Sequence, residues 1–261
     1  IPLVVIFVIA SFSNSAFTSL PNLLNMLRAS AYIFIAAVGM TYVLCGRGLD
    51  LSIGSQVGMS GVVLGALMVW WNVPIVLAIF IALLVGALAG AINGFFVVVL
   101  RVPPFIATLA TFYGYRGILE GVTKGTPISP MPESFKIIGL GSLFGVAYVI
   151  WFMIFLFIVA TFVLRKTKYG RYTLAMGGNP QSTRLAGIST KKLTFSLCVL
   201  MGVLACIAGI FFTSRFPSAL PTLGVGMELK VIAACIIGGV SLFGGAGSIL
   251  GTLIGSMFLV V

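Results

Sequence analysis

Acidic side chains and histidines are the groups that most often move protons or bind metals, and this sequence has very few of them. Its 261 residues contain no histidine and four acids, Asp50, Glu120, Glu133 and Glu228. Proton-coupled carriers, intramembrane proteases and transferases use such groups as acids, bases, nucleophiles or metal ligands. The sequence also lacks a G-x-x-x-x-G-K-[ST] phosphate loop. We therefore expect neither an enzyme nor a metal site, and no ATP hydrolysis by this chain itself.

A polar stretch, GGNPQSTRLAGIS (177–189), lies between long apolar runs and has the pattern of a complete short helix. Asn179 is suited to cap the first free N–H groups, and Pro180 fits the first helical position. The helix would continue from Gln181 to Ala186, and Gly187 would take the left-handed conformation that ends it. A helix of about two turns is marginal in water unless tertiary or partner contacts support it. The segment is therefore either a partner-binding element or an ordinary capped connector.

A second feature is a pair of glycine-rich breaks that share a pattern, in segments 46–68 and 238–258. Each break is followed by Leu and Ser and by a Gly-Ser pair that opens an apolar helix, so a parallel internal repeat is possible. Corresponding interrupted helices in two halves of a chain are typical of a transport pathway. The candidate helix-break or gating residues are Arg47, Asp50, Ser52, Gly54, Ser55, Gly244, Gly245 and Ser248.

Asp50 is the one acid in these breaks, and it precedes a helix predicted to begin near Leu51. A carboxylate at that position can accept backbone N–H bonds and meet the positive end of the helix. Arg47 is a candidate ion-pair partner. Capping is the favoured role of Asp50, and a charge-dependent gate is the alternative.

The composition shows that these elements are embedded in a membrane. Hydrophobic residues make up 60% of the chain, charged residues 7%, and mean hydropathy is +1.23. A membrane-spanning helix needs roughly 20 apolar residues. Hydropathy predicts an all-α polytopic bundle with interrupted helices in one transmembrane domain, 1–261, of about nine spans. The predicted spans are 1–12, 27–45, 51–71, 74–99, 103–120, 144–164, 194–213, 225–240 and 246–261. Residues beyond both ends would bring the full protein to about ten spans, with both termini inside.

The basic residues set the orientation. A net charge of +11 could suggest nucleic-acid binding, yet the loop 165–193 alone holds seven of the fifteen basic residues and no acid. This asymmetry is typical of a cytoplasmic loop, and we expect no nucleic-acid partner. Counting back from this loop places Arg47, Arg101 and the 241–248 turn in the cytoplasm.

Small residues recur at intervals of four within the predicted spans. In lipid, such stripes allow helix backbones to approach closely, so we interpret them as packing surfaces. They are Gly54 and Gly58, Gly61 and Gly65, Gly86, Gly90 and Gly94, and Gly247, Gly251 and Gly255.

Four segments together carry a resemblance to a known family. They are GLDLSIGS (48–55), PPFIATLATFYGYRGI (103–118), YGRYTLAMGGNPQSTRLAGIS (169–189) and GGVSLFGGAGSILGTLIG (238–255). In this order along nearly the whole chain, they resemble the membrane permeases of ribose-, xylose- and galactofuranose-type bacterial ABC sugar importers. Arg47 departs from the pattern, because the family more often has Gly there.

The resemblance implies a multi-pass permease of the bacterial inner membrane that moves a neutral sugar into the cytoplasm. It implies that 165–193 is a coupling loop whose short helix docks on an ATP-binding subunit, and that this subunit binds ATP and Mg, leaving no cofactor in this chain. The implied coupling residues are Gly178, Asn179, Pro180, Gln181, Ser182, Thr183, Arg184, Leu185, Ala186 and Gly187. The other implied partners are a second or sister permease, a periplasmic sugar-binding protein and the lipid bilayer.

The spans offer few groups to hold a sugar. A tight saccharide site usually combines several converging polar groups with an aromatic face. The candidate pathway residues are Asn93, Phe105, Thr108, Thr111 and Phe112, and we expect them to bind sugar weakly. Two alternatives remain open: a related permease for branched-chain amino acids or nucleosides, and a facilitative carrier that needs no partner.

Overall fold

The structure is a computed structural model that describes residues 7, 11–12 and 17–261. The described residues form an all-α bundle with one small β-hairpin. Its helices are α1 (Leu20–Cys45), α2 (Ile53–Gly65), α3 (Ile75–Val98), α4 (Pro104–Thr123), α5 (Glu133–Leu140), α6 (Tyr148–Lys166), α7 (Lys168–Gly178), α8 (Pro180–Leu185), α9 (Thr190–Thr213), α10 (Met227–Ile237) and α11 (Ile249–Phe258). A π-helical turn, Ala66–Trp70, extends α2. Strands β1 (Ser142–Leu143) and β2 (Val146–Ala147) pair antiparallel between α5 and α6.

The prediction of a polytopic helical membrane protein is confirmed. Among the described residues, five helical segments are long and apolar enough to cross a membrane: Leu20–Cys45, Ile53–Trp70, Ile75–Val98, Tyr148–Lys166 and Thr190–Thr213. Predicted span 103–120 corresponds to α4, which is less apolar than these five segments and is not among them. Apart from residues 7, 11 and 12, predicted span 1–12 lies outside the described residues.

The last two predicted spans, 225–240 and 246–261, are shorter than expected. Helix α10 has eleven residues and α11 has ten. At a rise of about 1.5 Å per residue, each covers roughly half of a hydrocarbon core of about 30 Å. These two short helices lie on either side of the 238–248 break and pack against each other and against α1.

Helix α1 is the centre of the bundle. Every residue from Ser30 to Cys45 is buried, and α1 contacts α6, α9, α10 and α11. Helix α3 has two different faces: its buried positions are mostly alanine and glycine, and its exposed positions include Leu77, Phe80, Leu84 and Leu88. Small residues inside and large apolar residues outside are typical of a helix that contacts lipid, where large side chains gain little by being buried.

The predicted glycine stripes are packing surfaces. Helix α9 contacts α3 more extensively than any other described pair of helices. A Cβ atom at Gly202 would overlap the Gly86 carbonyl oxygen and lie 2.9 Å from the Gly90 nitrogen. In α11, a Cβ at Gly251 would overlap the Gly238 carbonyl oxygen, and one at Gly255 would overlap that of Ala234.

We predict that Gly202→Ala destabilises the bundle, whereas Gly178→Ala does not. A methyl group at Gly202 has to push α3 and α9 apart, and overpacking of this kind costs about 1–3 kcal/mol. A Cβ at Gly178 meets no atom within 4 Å. Thermal unfolding of the purified chain in detergent measures both variants, and equal melting temperatures would contradict this packing.

Candidate functional site

The predicted short helix α8 has the expected start and stop. The Asn179 side chain accepts a hydrogen bond from the Ser182 N–H at 3.0 Å, and Pro180 occupies the first helical position. Gly187 has φ +80°, the predicted left-handed stop, and its N–H donates to the Arg184 carbonyl at 2.9 Å. The helix ends at Leu185, and Ala186 is its C-cap rather than part of it.

One side of α8 is fastened to the protein and the other side is open. Thr183 is buried, and its hydroxyl bonds within the helix, to the Asn179 carbonyl at 2.8 Å. The link to the rest of the protein is the Arg184 Nε, which donates to the Thr190 hydroxyl at the start of α9 at 2.8 Å. Leu185 is 90% exposed. The flanking coupling residues that are also exposed are Gly178, Asn179, Gln181, Ser182, Arg184, Ala186 and Gly187. A fixed helix that presents a bare leucine to the outside is suited to dock into an apolar groove of a partner.

Three chain segments meet directly behind α8, and we call this meeting point the glycine junction: Cys45–Arg47, Gly177–Gly178 and Gly244–Gly245. The Gly245 N–H donates to the Cys45 carbonyl at 2.9 Å. A Cβ at Gly177 would overlap that same carbonyl oxygen, and a Cβ at Gly245 would lie 2.8 Å from the Gly178 Cα. The junction therefore joins the base of the coupling helix to both glycine-rich breaks.

Asp50 is the centre of a buried hydrogen-bond network. Its side chain is 2% exposed, and its Oδ1 accepts from the Ser52 backbone N–H at 2.8 Å and from the Ser52 hydroxyl at 2.6 Å. Its Oδ2 accepts from the side-chain amides of Asn93 at 3.2 Å and Gln56 at 3.4 Å. Thr111 donates to the Asn93 Oδ1 at 2.7 Å. The network ties the start of α2 to α3 and α4.

The expected pairing of Arg47 with Asp50 is wrong. Among the described residues, the one ion pair joins Lys136 to Glu133. Arg47 has φ +67°, a left-handed conformation that glycine adopts freely and other residues rarely adopt. Its exposed side chain lines a cavity of about 550 Å³ together with Arg101, Arg184 and Lys191.

The remaining break residues have structural contacts. The Ser55 hydroxyl donates to the Phe112 carbonyl at 2.8 Å, and the Ser248 hydroxyl caps α11 by accepting from the Gly251 N–H at 3.4 Å. Gly54 packs against the Gly224 carbonyl and the Glu228 carboxylate, so a side chain there has no room.

The candidate pathway residues divide into two groups. Asn93, Thr108 and Thr111 are buried, and their side chains bond within the protein; Thr108, for example, accepts from the Leu51 N–H at 3.1 Å. Phe105 is exposed and Phe112 is half-buried. The three polar side chains therefore stabilise the junction of α2, α3 and α4, and their role in transport stays a prediction.

Sequence reasoning missed Arg116. This arginine of α4 is buried, and its guanidinium donates to the carbonyl oxygens of Pro221, Leu223 and Gly54, the last two at 3.2 and 3.1 Å. It fastens the segment between α9 and α10 against α2. An ionisable residue inside an apolar segment is by itself a reason to expect a specific role, and that rule would have identified it.

Comparisons with known proteins identify the family of this chain. The family model described as "Branched-chain amino acid transport system / permease component" matches residues 22–261. The ribose import permease protein RbsC of Haemophilus influenzae is 42% identical over 99% of this chain and 81% of its own length. The xylose transport system permease protein XylH of the same organism is 31% identical over 99% of this chain and 86% of its own length. The autoinducer 2 import system permease protein LsrC of Escherichia coli is 37% identical over 98% of this chain and 75% of its own length. No solved structure matches the chain.

We predict that Asp50→Asn is tolerated far better than Asp50→Leu. Asparagine keeps an oxygen that can accept from Ser52, whereas leucine leaves several buried donors unpaired, at about 1–3 kcal/mol each. Thermal unfolding and sugar uptake measure the difference. Glu133→Leu, which removes an exposed carboxylate, is the control and should change stability by about 0.5 kcal/mol or less. Complete and equal loss of uptake in both Asp50 variants, with folding intact, would instead indicate a charge-dependent gate.

Proposed function

The chain belongs to the family of branched-chain amino acid transport system permease components, and we propose that it is the membrane permease of an ATP-driven importer of neutral sugars. As a permease component it is not itself an enzyme. The substrate class is supported by similar proteins whose names specify ribose and xylose, two pentoses. The observation that carries the ATP-driven mechanism is α8, a capped helix fixed on one side and open on the other.

Two alternatives, a permease for branched-chain amino acids or nucleosides and a facilitative carrier, predict different transport behaviour. The family description names branched-chain amino acids, but none of the similar proteins cited above is named for them. Uptake of labelled ribose, xylose, leucine and a nucleoside by the complete importer separates these substrates. A facilitative carrier needs no ATPase, and ATP-independent uptake by the purified chain would support it.

The proposed topology is that of a bacterial inner-membrane protein. We assign the coupling loop 165–193 to the cytoplasm because it contains seven basic residues and no acidic residue, the pattern of a cytoplasmic loop. Each of the eight predicted spans from 27–45 onward contains a helix, which supports the proposal of about nine membrane segments in this chain. The basic cavity of Arg47, Arg101, Arg184 and Lys191 then lies on the cytoplasmic side.

The proposed coupling route starts at α8. The exposed side of α8 docks on the ATP-binding subunit, which binds ATP and Mg and supplies the energy. Because Gly177 and Gly178 contact Cys45 and the 244–245 turn without intervening side chains, a displacement of the coupling loop is passed directly to both helix breaks. The other partners in this proposal are a second or sister permease and a periplasmic sugar-binding protein that delivers the sugar.

We predict that Gly187→Val and Arg184→Glu uncouple ATP hydrolysis from uptake. Valine strains the left-handed stop of α8, and glutamate inverts the charge of the exposed residue 184 and removes its hydrogen bond to Thr190. Uptake per ATP hydrolysed should fall about tenfold, the loss of roughly 1.4 kcal/mol of coupling free energy. Both quantities are measured on the assembled importer in proteoliposomes.

Gly125→Val is the matched control for this prediction. Gly125 also has a positive φ, +70°, and a Cβ added there would likewise meet no atom within 4 Å, but it follows α4, outside the coupling loop. Gly125→Val should lose stability as Gly187→Val does, but its uptake per ATP hydrolysed should stay at the wild-type value. Wild-type uptake per ATP hydrolysed in both Gly187→Val and Arg184→Glu would contradict the proposal that α8 contacts the ATP-binding subunit.

We also predict that the permease alone binds sugar weakly. The polar side chains of Asn93, Thr108 and Thr111 are already bonded within the protein, so few groups remain to replace the hydration of a sugar. Calorimetry of the purified permease with ribose and with xylose should show no saturable binding below roughly millimolar concentration. A Kd of about 1 mM corresponds to a binding free energy of about −4 kcal/mol. A micromolar site would place selectivity in these helices rather than in the binding protein.

A further inference from the structure

The basic cavity of about 550 Å³ lies where the ends of α1 and α3 meet the starts of α8 and α9. Its four cations, Arg47, Arg101, Arg184 and Lys191, are all exposed, and none of the four acids of the chain lines it. Among the described residues, none of these cations takes part in an ion pair. The first turn of α9 also lines the cavity, through Thr190 and Lys191, and adds the positive end of a helix. This arrangement favours an anion.

Two of the four cations are held in a backbone conformation that disfavours them. Arg47 follows the end of α1 with φ +67°, and Arg101 follows the end of α3 with φ +57°. Glycine adopts this left-handed conformation freely, whereas a Cβ atom makes it costly. The negative end of a helix attracts a cation equally well from the last turn, where no such strain arises, but neither helix has a basic residue there. Strained residues often mark functional sites, and both of these line the same cavity.

The cavity lies at the depth of the lipid headgroups. Helix α3 has 24 residues, which at a rise of about 1.5 Å each gives about 36 Å, slightly more than a hydrocarbon core of about 30 Å. Its last residues, Val97 and Val98, line the cavity. A stripe of exposed apolar side chains runs along α3 to this end: Phe80, Leu84, Leu88, Ile92, Phe95 and Val99. A lipid whose acyl chain lies on this stripe therefore has its headgroup beside the four cations.

We propose that the basic cavity binds the phosphate of an anionic phospholipid whose acyl chains lie along α3. Each arginine or lysine near the membrane surface attracts anionic lipid, and a basic pocket between membrane helices is suited to its headgroup. A guanidinium group can also donate two parallel hydrogen bonds to one phosphate. A zwitterionic headgroup carries the same phosphate together with an ammonium group, so the cavity selects by net charge. The inference rests on the membrane setting of the chain and not on the substrate that it transports.

Binding of radiolabelled lipid tests the proposal on the importer assembled with its ATP-binding subunit in detergent micelles. Phosphatidylglycerol, which has a net negative charge, should bind at least about tenfold more tightly than phosphatidylcholine, which has none. The double variant Arg47→Gln with Arg101→Gln should bind the two lipids within about twofold of each other. Arg47→Gly with Arg101→Gly should do the same. Because glycine relieves the backbone strain at both positions, this second variant separates loss of the binding site from loss of folding.

The matched control is Arg165→Gln with Lys166→Gln. It removes two exposed cations of the same basic loop that do not line the cavity, so the preference for phosphatidylglycerol should stay at the wild-type value. An undiminished preference in both cavity variants would overturn the proposal, because anionic lipid would then bind elsewhere on the basic surface. A wild-type importer with no preference would also overturn it, and would favour an acidic surface of the ATP-binding subunit as the occupant of the cavity.

Competition with inorganic phosphate distinguishes a lipid headgroup from a soluble anion. Phosphate replaces chloride at constant ionic strength, so general screening of charge stays the same. Bound phosphatidylglycerol should remain unchanged, because inorganic phosphate has no acyl chain to lie on the α3 stripe. Displacement of the lipid by phosphate would overturn the lipid assignment and indicate a soluble phosphate as the ligand. Each of these results concerns lipid binding alone, so a failure here leaves the proposed function standing.

Discussion

Close contact between helix backbones is the constraint on which the rest of this structure depends. Because lipid offers apolar side chains nearly the same environment as the protein interior, helices gain stability by dense packing rather than by leaving water. Helices α3 and α9 meet at Gly86, Gly90 and Gly202, and α10 and α11 meet at Gly238 and Gly251. The large side chains that a soluble protein would bury are instead on the outside of α3.

The same constraint determines where the polar groups lie. Buried donors and acceptors have no water to bond with, so they pair with one another. Asp50, Ser52, Gln56, Asn93 and Thr111 form one connected network across three helices. A second set is built on Arg116, which satisfies the carbonyl groups of an irregular segment packed against α2. These two clusters stabilise non-helical backbone inside a helical bundle, and breaks of this kind are what a transport pathway requires.

Coupling and rigidity are linked at the glycine junction. The coupling helix is supported from behind by backbone rather than by flexible side chains, since Gly177, Gly178, Gly244 and Gly245 leave none in between. These contacts connect α8 to the end of α1 and to the 238–248 break through backbone alone. The proposed coupling to a separate ATPase depends on this connection.

The sequence by itself determined the local features and the class of protein. Hydropathy gives membrane helices, basic residues give the proposed orientation, and Asn179, Pro180 and Gly187 give the limits of α8, because each depends on residues adjacent in the chain. Only the tertiary structure decided which distant residues meet. It placed Arg47 away from Asp50, brought Asn93 to Asp50 across 43 residues of sequence, and fastened residues 221–223 to Arg116. Such contacts depend on how helices pack in three dimensions, and hydropathy carries no information about which faces of two membrane helices meet.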